Sequence, residues 1–544
     1  MTDRTPHDRR WLILPILCLS VFLVVVDNTI VNVALPSLSR HLGASITSLQ
    51  WIVDAYSLAF AGLLLAGGGI GDRLGRKGTM QVALVFFGLF SATAAACHST
   101  GTLITARALM GVAAAFVFPA SLAILTAIFT DPSERQKALG IWGATSGIAV
   151  AFGPITGGAL LEHFWYGSIF LVNVPIVLVT VIGGQFLIPK LPAETRHRFD
   201  ARGVAISTAG VTMLVLAIIE GPQWGWLSTG TLACFAGAVV LLAAFTRMEL
   251  RTEHPLLDVR VFKVPRFTGG ALAISVAFFC LFGFIFLVTQ YFQFVKGYST
   301  LSAGVHTLPF AIVAAIATPI AAVLALKVGS RLVVGTGLLL MGGGLLMAAF
   351  TSTPKAAFWG PIIVAMILLA LGLSSITAPA TEAVMGSLRP DQLGAGAAVN
   401  NTTRELGGTL GVAVLGSVFV SRYAPQVSRI FNRYPIPAGP KTEAHQSMAA
   451  ALAVVARAPK TIQPILHQAA FSGFESGFKA ACLVGGGVGI VGAGVCFKLL
   501  SGRGGPGSAE EAARLAWLET SGEPNLAVAV AGVGADAGVG AGVT

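Results

Sequence analysis

Charge is what this chain has least of. Only 11% of its 544 residues are Asp, Glu, Lys or Arg, where soluble domains carry about a quarter. With 55% hydrophobic residues, it holds too few polar side chains to cover a folded surface in water, which excludes an ordinary soluble domain. Cysteine is scarce as well. Cys18, Cys97, Cys234, Cys280, Cys482 and Cys496 each lie in or beside an apolar run and form no Cys-x-x-Cys pair, so neither a zinc site nor a disulfide framework is indicated. No Gly-x-x-x-x-Gly-Lys-Ser/Thr loop occurs, and no polar segment is long enough for an ATPase domain. His41, His98, His163, His306 and the cysteines form no cluster of nucleophile, base or metal ligands, which speaks against an intramembrane enzyme. No cofactor is expected.

What the chain does have is long apolar runs. Fourteen segments fall near 12–35, 51–71, 79–97, 102–128, 138–161, 167–188, 203–221, 229–246, 267–292, 303–326, 332–350, 357–386, 394–421 and 475–500, of a length that matches a hydrocarbon core of roughly 30 Å. The N-terminal run has a basic start but no small-residue cleavage site, and it reads as a retained first helix. The net charge of +11 is spread between the runs and not gathered into a patch, so nucleic acid is not an expected partner. With the N-terminus cytoplasmic, the loops on that side hold Arg73, Arg76 and Lys77, then Arg135 and Lys137, Lys190, Arg196, Arg198 and Arg202, Arg247, Arg251, Arg260, Lys263 and Arg266, Lys327 and Arg331, and Arg389. The short loops opposite hold only Arg40, Lys296 and Lys355. This is the positive-inside pattern; it predicts a multi-pass protein of the cytoplasmic membrane with both termini cytoplasmic. Segment 422–474 falls outside, as a short helical hairpin around Glu443 to Ala458 or as plain disorder. The tail from Ser501 carries one amphipathic stretch at Glu510 to Leu518 before a Gly/Ala/Val-rich end expected to be disordered.

The stretch "LAGGGIGDRLGRKGTM" (65–80) then falls in the tight turn between the second and third spans. Glycines let the helices approach, Asp72 can cap the next helix or pair with a neighbouring Arg, and the basic residues hold the turn inside. The order Gly68, Asp72, Arg73, Gly75, Arg76, Lys77 resembles the signature loop of the major facilitator superfamily. Further stretches are similar to its fourteen-span drug:proton antiporter branch, nearest to the exporters of quaternary ammonium and other lipophilic cations: "VVVDNTIVNVALP" (24–36), "LQWIVDAYSLAFAG" (49–62), "LITARALMG" (103–111), "FGPITGGALL" (152–161), "IFLVNVP" (169–175) and "NNTTRELGGTLG" (400–411). The resemblance implies an all-α membrane fold of two six-helix bundles, 11–188 and 267–500, with an inserted helix pair at 189–266, a cytoplasmic N-terminus at 1–10 and a tail at 501–544. It implies that the signature loop latches the halves in one state of an alternating-access cycle, and that Gly153, Pro154, Gly157 and Gly158 form the fifth-helix antiporter motif. Two departures stand out. The aromatic-Arg-aromatic triplet before the sixth helix is Tyr166, Gly167 and Ser168, and the second copy of the loop has decayed to "LKVGSRLVVG" (326–335), where Gly329 and Arg331 remain.

Ionisable residues inside the spans need an explanation, because each costs about 2.5–3.5 kcal/mol at the bilayer centre on insertion scales. Asp27 lies nine residues before Pro36, roughly 13 Å in from the outer end if the helix stops there. It is the first candidate for proton coupling: proton and substrate cation both satisfy one carboxylate, so they exclude each other. A helix-packing Asp is the bland alternative. Asp54, three residues after Trp51, is either a proton-handling group or a solvated rim residue. Arg107 either relays protonation or forms an internal ion pair, and the three together are expected to line a funnel open to the outside. Glu405, at the position where the resemblance places a functional acid, is the second proton-site candidate, and Arg404 beside it points about 100° away. Asn28, Asn32, Tyr56, Asn401, Arg404 and Glu382 are the remaining candidates for a cavity lining, with Glu382 near enough to the cytoplasmic end to pair with a loop Arg. Glu220 is expected at a rim and His306 as a packed polar residue. Gly153-Pro154 is expected to bend its span.

Transport without ATP must run on a gradient. One charge crossing 100 mV is worth about 2.3 kcal/mol, which supports roughly a 40-fold concentration ratio. The sequence therefore reads as a proton-driven exporter of lipophilic, often cationic compounds, working as a monomer among membrane lipids. The alternative is an exporter of one endogenous metabolite or lipid on the same fold.

Overall fold

The computed structural model describes residues 10–42, 46–189, 201–252, 259–351, 358–388, 392–446 and 448–500. They form helices α1 (Arg10–Leu42), α2 (Ile46–Leu74), α3 (Arg76–Ala95), α4 (Thr100–Ile128), α5 (Pro132–His163), α6 (Ser168–Leu171), α7 (Asn173–Leu187), α8 (Ala201–Trp224) and α9 (Thr229–Glu249). There follow α10 (Pro265–Gln290), α11 (Thr300–Val305), α12 (Leu308–Val328), α13 (Ser330–Thr351), α14 (Ile363–Met385), α15 (Leu393–Phe431), α16 (Ala438–Gln446), α17 (Met448–Arg457) and α18 (Gln463–Leu499). Among the described residues there is no strand, and 13 helices are long and apolar enough to cross a membrane. The bent pair Pro132–Val150 and Ile155–His163, set at 40° across the Gly153-Pro154 step, brings the number to 14 when counted as one span. The chain is a multi-pass membrane protein.

Helix pairing repeats within the chain. In the first half α1 packs on α5, α2 on α4, and α3 on α4 and α7; in the second α10 packs on α15, α12 on α14, and α13 on α14 and α18. Each half thus joins its first span to its fifth, its second to its fourth, and its third to its fourth and sixth. The turn between second and third spans repeats too: Gly75 (φ 98°) and Gly329 (φ 90°) occupy the left-handed region there. That conformation, which glycine adopts without a Cβ penalty, explains why Gly329 persists in a loop that has lost most of its other matching residues. The halves meet where α2 and α4 touch α15 and where α5 touches α12 and α14.

Lipid tails offer helices no hydrophobic reason to associate, so close packing of small residues has to do so. On α2 and α4, a Cβ on Gly67 would overlap the Ala115 carbonyl and one on Gly111 the Tyr56 carbonyl. Gly407 and Gly411 of α15 meet the carbonyls of Ser275 and Phe279 on α10 in the same way, and Gly153 of α5 meets Thr29 of α1. Large apolar side chains point outward instead, among them Phe186 (79% exposed) and Val239 (67%).

Two expectations about the spans need correction, and of the two readings of segment 422–474 the helical hairpin holds. The first helix does not end at Pro36 but runs on to Leu42, so Asp27 sits near its middle, about 22 Å from that end at 1.5 Å per residue; prolines are tolerated inside membrane helices. Segment 422–474 is mostly helical: α15 and α18 extend into it and α16 and α17 form the hairpin. The hydropathy signal fades there, but Phe419, Tyr423, Val427 and Phe431 continue a buried stripe four residues apart. Tyr423 donates to the Ala444 carbonyl (3.1 Å), and Phe419 meets Phe474 edge-on at 5.1 Å. Glu220 is buried, at 5% exposure, because α8 packs its face against α2. Lys190, Arg196, Arg198, Lys355, Arg389 and the tail from Ser501 lie outside the described residues.

The close α2–α4 contact yields a test. Gly111→Val should destabilise the protein by about 1–3 kcal/mol, as overpacking does elsewhere, whereas Gly78→Ala, with nothing within 4 Å of its Cβ, should leave thermal unfolding in detergent unchanged. Equal melting shifts for the two would contradict the packing described.

Candidate functional site: a buried ion pair between five helices

Asp27 and Arg107 are both fully buried. Arg107 Nη1 lies 2.5 Å from Asp27 Oδ2, and Arg107 Nε donates to the Ile52 carbonyl at 3.2 Å. The guanidinium also stacks 4.2 Å from the centre of the Tyr56 ring, whose hydroxyl donates to the Val24 carbonyl at 3.3 Å. Asn173, at the start of α7, donates from Nδ2 to Asp27 Oδ1 at 2.7 Å and to Ser91 Oγ at 3.0 Å; Ser91 in turn donates to the Phe170 carbonyl. Helices α1, α2, α3, α4 and α7 thus contribute to one polar centre. Two of its atoms, Arg107 Nη2 and Asn173 Oδ1, have no hydrogen-bond partner among the described residues.

This geometry replaces the expected outward funnel with a closed, paired arrangement. Removing two charges from water costs several kcal/mol per ion, and only close pairing with further hydrogen bonds offsets it. Asn173 and Ser91 supply those further bonds and were not among the candidates. An amide in the apolar run "IFLVNVP" was the available signal, since a polar group at membrane depth needs a partner.

The other candidates fall in different places. Asp54 lies eight residues into α2, partly buried, and is within electrostatic reach of Glu220 on α8. Glu405 is partly buried on α15 and interacts electrostatically with both Arg404 and Tyr56. Tyr56, stacked on Arg107, is thus within electrostatic reach of the second-half carboxylate as well. Asn401 is buried, with neither amide atom partnered among the described residues. Asn28 is partly buried beside Asp27 in the chain; the side chains of Asn32 and Pro154 are outside the described residues, while Gly157 is buried and Gly158 partly so. His306 is packed as expected, stacked 4.2 Å from Tyr298 and bonded to the Ser302 carbonyl.

At the end of the molecule that carries the α2–α3 turn, Arg76 Nε donates to Asp72 Oδ1 at 2.7 Å. Asp72 pairs with Arg76 and does not cap α3, whose N-cap is Gly75 with no side-chain bond. Gly68 is buried and Arg73 partly so. At the same end Arg135, in the first turn of α5, grips Glu382 near the end of α14 with two parallel bonds, Nε–Oε2 at 2.8 Å and Nη2–Oε1 at 2.5 Å. Such forked pairs are the stronger kind of ion pair, and this one crosses between the halves. Arg10 forms a similar fork with Glu134, from α1 to α5. Glu382 thus ties the halves together through Arg135, the pairing with a loop Arg that its place near the end of its span anticipates.

Two repeated six-span bundles with a polar centre at mid-depth and an ion pair across one end define a secondary-transporter architecture. Residues 17–412 match the model of the Major Facilitator Superfamily, and the chain belongs to that family. It is 36% identical over 488 residues to the multidrug efflux pump LfrA of Mycolicibacterium smegmatis, covering 89% of this chain and 94% of that one. It is also 36% identical to the methyl viologen resistance protein SmvA of Salmonella typhimurium (77% and 84% covered) and to the puromycin resistance protein pur8 of Streptomyces alboniger (76% and 82%). Among solved structures, the human organic anion transporter MFSD10 superposes with a TM-score of 0.61 at 15% identity, over 92% of this chain and all of that one, which speaks to fold alone.

Two tests follow. Arg107→Ala leaves Asp27 buried and unpaired, and should cost about 3–5 kcal/mol of stability; adding Asp27→Asn should recover part of it in thermal unfolding, and no recovery would mean that the two do not act as a pair. Breaking the cross-half fork with Glu382→Gln should open that end of the molecule. Maleimide labelling of a cysteine placed at Thr377, with the six native cysteines replaced, should then quicken by roughly fivefold, the population change for about 1 kcal/mol. Exchanging the charges (Arg135→Glu with Glu382→Arg) should restore the slow rate.

Proposed function

We propose that this chain exports lipophilic, often cationic compounds across the cytoplasmic membrane in exchange for protons, by alternating access. The observation that carries this reading is the Asp27–Arg107–Asn173 centre, in a chain whose relatives include proteins named for drug efflux and resistance. A proton on Asp27 cancels the attraction that holds Arg107, and a substrate cation entering nearby competes for the same negative charge. Proton and cargo therefore exclude each other, as exchange requires. Glu405 extends this competition to the second half through Tyr56, so that protonation and the relative position of the halves are linked. Asp54 is a further carboxylate available to the proton path.

The forked pair Arg135–Glu382 and the Asp72–Arg76 turn hold the cytoplasmic end shut, with the basic loops and both termini on that side. Substrates enter from the inner leaflet or cytosol when these contacts open. The energy source is the proton gradient, no cofactor takes part, and one chain among membrane lipids is the working unit.

Purified protein in liposomes with an internal pH dye tests this. Addition of ethidium or a quaternary ammonium compound should drive proton movement in the wild type, and Asp27→Asn or Glu405→Gln should abolish it. If the wild type moves no protons with any cation tried, the export of one endogenous metabolite or lipid becomes the better reading.

A further inference from the structure

Arg404 is 5% exposed, in the first third of α15, and makes no salt bridge among the described residues. Its Nε has no hydrogen-bond partner there either. Aromatic rings surround it instead. The guanidinium carbon lies 4.5 Å from the centre of the Phe278 ring, 5.3 Å from Trp142 and 5.5 Å from Phe118. Phe118 and Trp142 come from α4 and α5, in the first half, and meet edge-on at 5.6 Å; Phe278 comes from α10 in the second. The box is therefore assembled only when the halves are together.

Arg107 shows how the same molecule pairs a buried cation: with a carboxylate at 2.5 Å and a backbone carbonyl. Ring faces hold a cation much less firmly and offer it no hydrogen-bond acceptor, and the carboxylate within electrostatic reach of Arg404, that of Glu405, makes no ion pair with it among the described residues. Next to Arg404 in the chain, the buried side-chain polar atoms of Asn400, Asn401 and Thr402 also lack partners among the described residues. Asn400 and Arg404 are one helical turn apart and share a face.

We propose that the Phe118–Trp142–Phe278 box is a subsite for the cationic group of an exported compound, and that Arg404 is its tethered occupant, displaced when that compound arrives. The inference rests on the exporter reading above. Its ligand class follows from the walls: a quaternary or delocalised cation with lipophilic substituents, which gives up little hydration on entering. A primary ammonium is strongly hydrated and finds no acceptor on the rings.

Isothermal titration of the full chain in detergent with tetraphenylphosphonium tests the proposal. Removing the resident cation with Arg404→Gln should tighten binding roughly tenfold, an effect that mere loss of structure does not produce. Arg404→Lys, which keeps a tethered charge, should bind more weakly than Arg404→Gln, and Trp142→Leu should weaken binding several-fold. If Arg404→Gln fails to elute as a single species, Trp142→Leu and Phe278→Leu decide: weakened binding supports the box and unchanged binding overturns it. Wild-type binding that is unaltered in Arg404→Gln and Trp142→Leu overturns the subsite while leaving the exporter reading intact. A wild type that binds neither tetraphenylphosphonium nor ethidium overturns both.

Discussion

A carboxylate and a guanidinium, both wholly buried within an apolar bundle, set the terms for the rest of this molecule. Neither Asp27 nor Arg107 is tolerable alone at that depth, and together they are tolerable only because Asn173, Ser91 and the Ile52 carbonyl complete their hydrogen bonds. Satisfying that requirement draws α1, α2, α3, α4 and α7 to one point. The glycine contacts between α2 and α4 serve the same end, because a Cβ on Gly111 would push away the backbone of Tyr56, whose ring lies under Arg107. Small residues bring the helices close, and the ion pair specifies which side chains meet when they are close.

The second half solves its buried-charge problem differently. Its mid-depth cation, Arg404, is set among rings, and its carboxylate, Glu405, is within electrostatic reach of Tyr56 of the first half. The two halves share a pairing pattern and a left-handed glycine turn, so the contrast lies in side chains on a common frame. A tightly paired centre in one half faces loosely held charges in the other. The Asp27–Arg107 pair lies within one bundle, whereas the rings around Arg404 come from both, so the surroundings of Arg404 depend on how the halves meet.

Much of this was legible in the sequence. Apolar run length gave the number of spans, because hydrocarbon thickness dictates it, and the same scarcity of charge that identified the membrane made Asp27, Arg107, Glu405 and Arg404 conspicuous. What was not legible depends on contacts between distant segments. The extension of α15 through Phe431 is carried by a four-residue stripe that a hydropathy window averages away. Glu220 looked like a rim residue because nothing local reveals that α8 lies against α2. The box around Arg404 draws Phe118, Trp142 and Phe278 from three other helices, and one more aromatic residue in a membrane span carries no signal by itself.

The inserted pair α8 and α9 belongs to neither repeat, yet it is not a passive addition. It turns at Gly225 (φ 91°), and just beyond that turn Trp226 donates from Nε1 to Ser417 of α15 at 3.0 Å. Along its length α8 packs on α2, where Gly62 makes room for Thr212. One helix thus touches the second span of the first half and the fifth of the second half. It also brings Glu220 within electrostatic reach of Asp54. Relative movement of the halves would act on α8 from both sides, and with it on Glu220, the acidic residue that it carries. The insert therefore joins in one helix a contact with each half and the acidic neighbour of Asp54, an arrangement that two six-helix bundles alone do not contain.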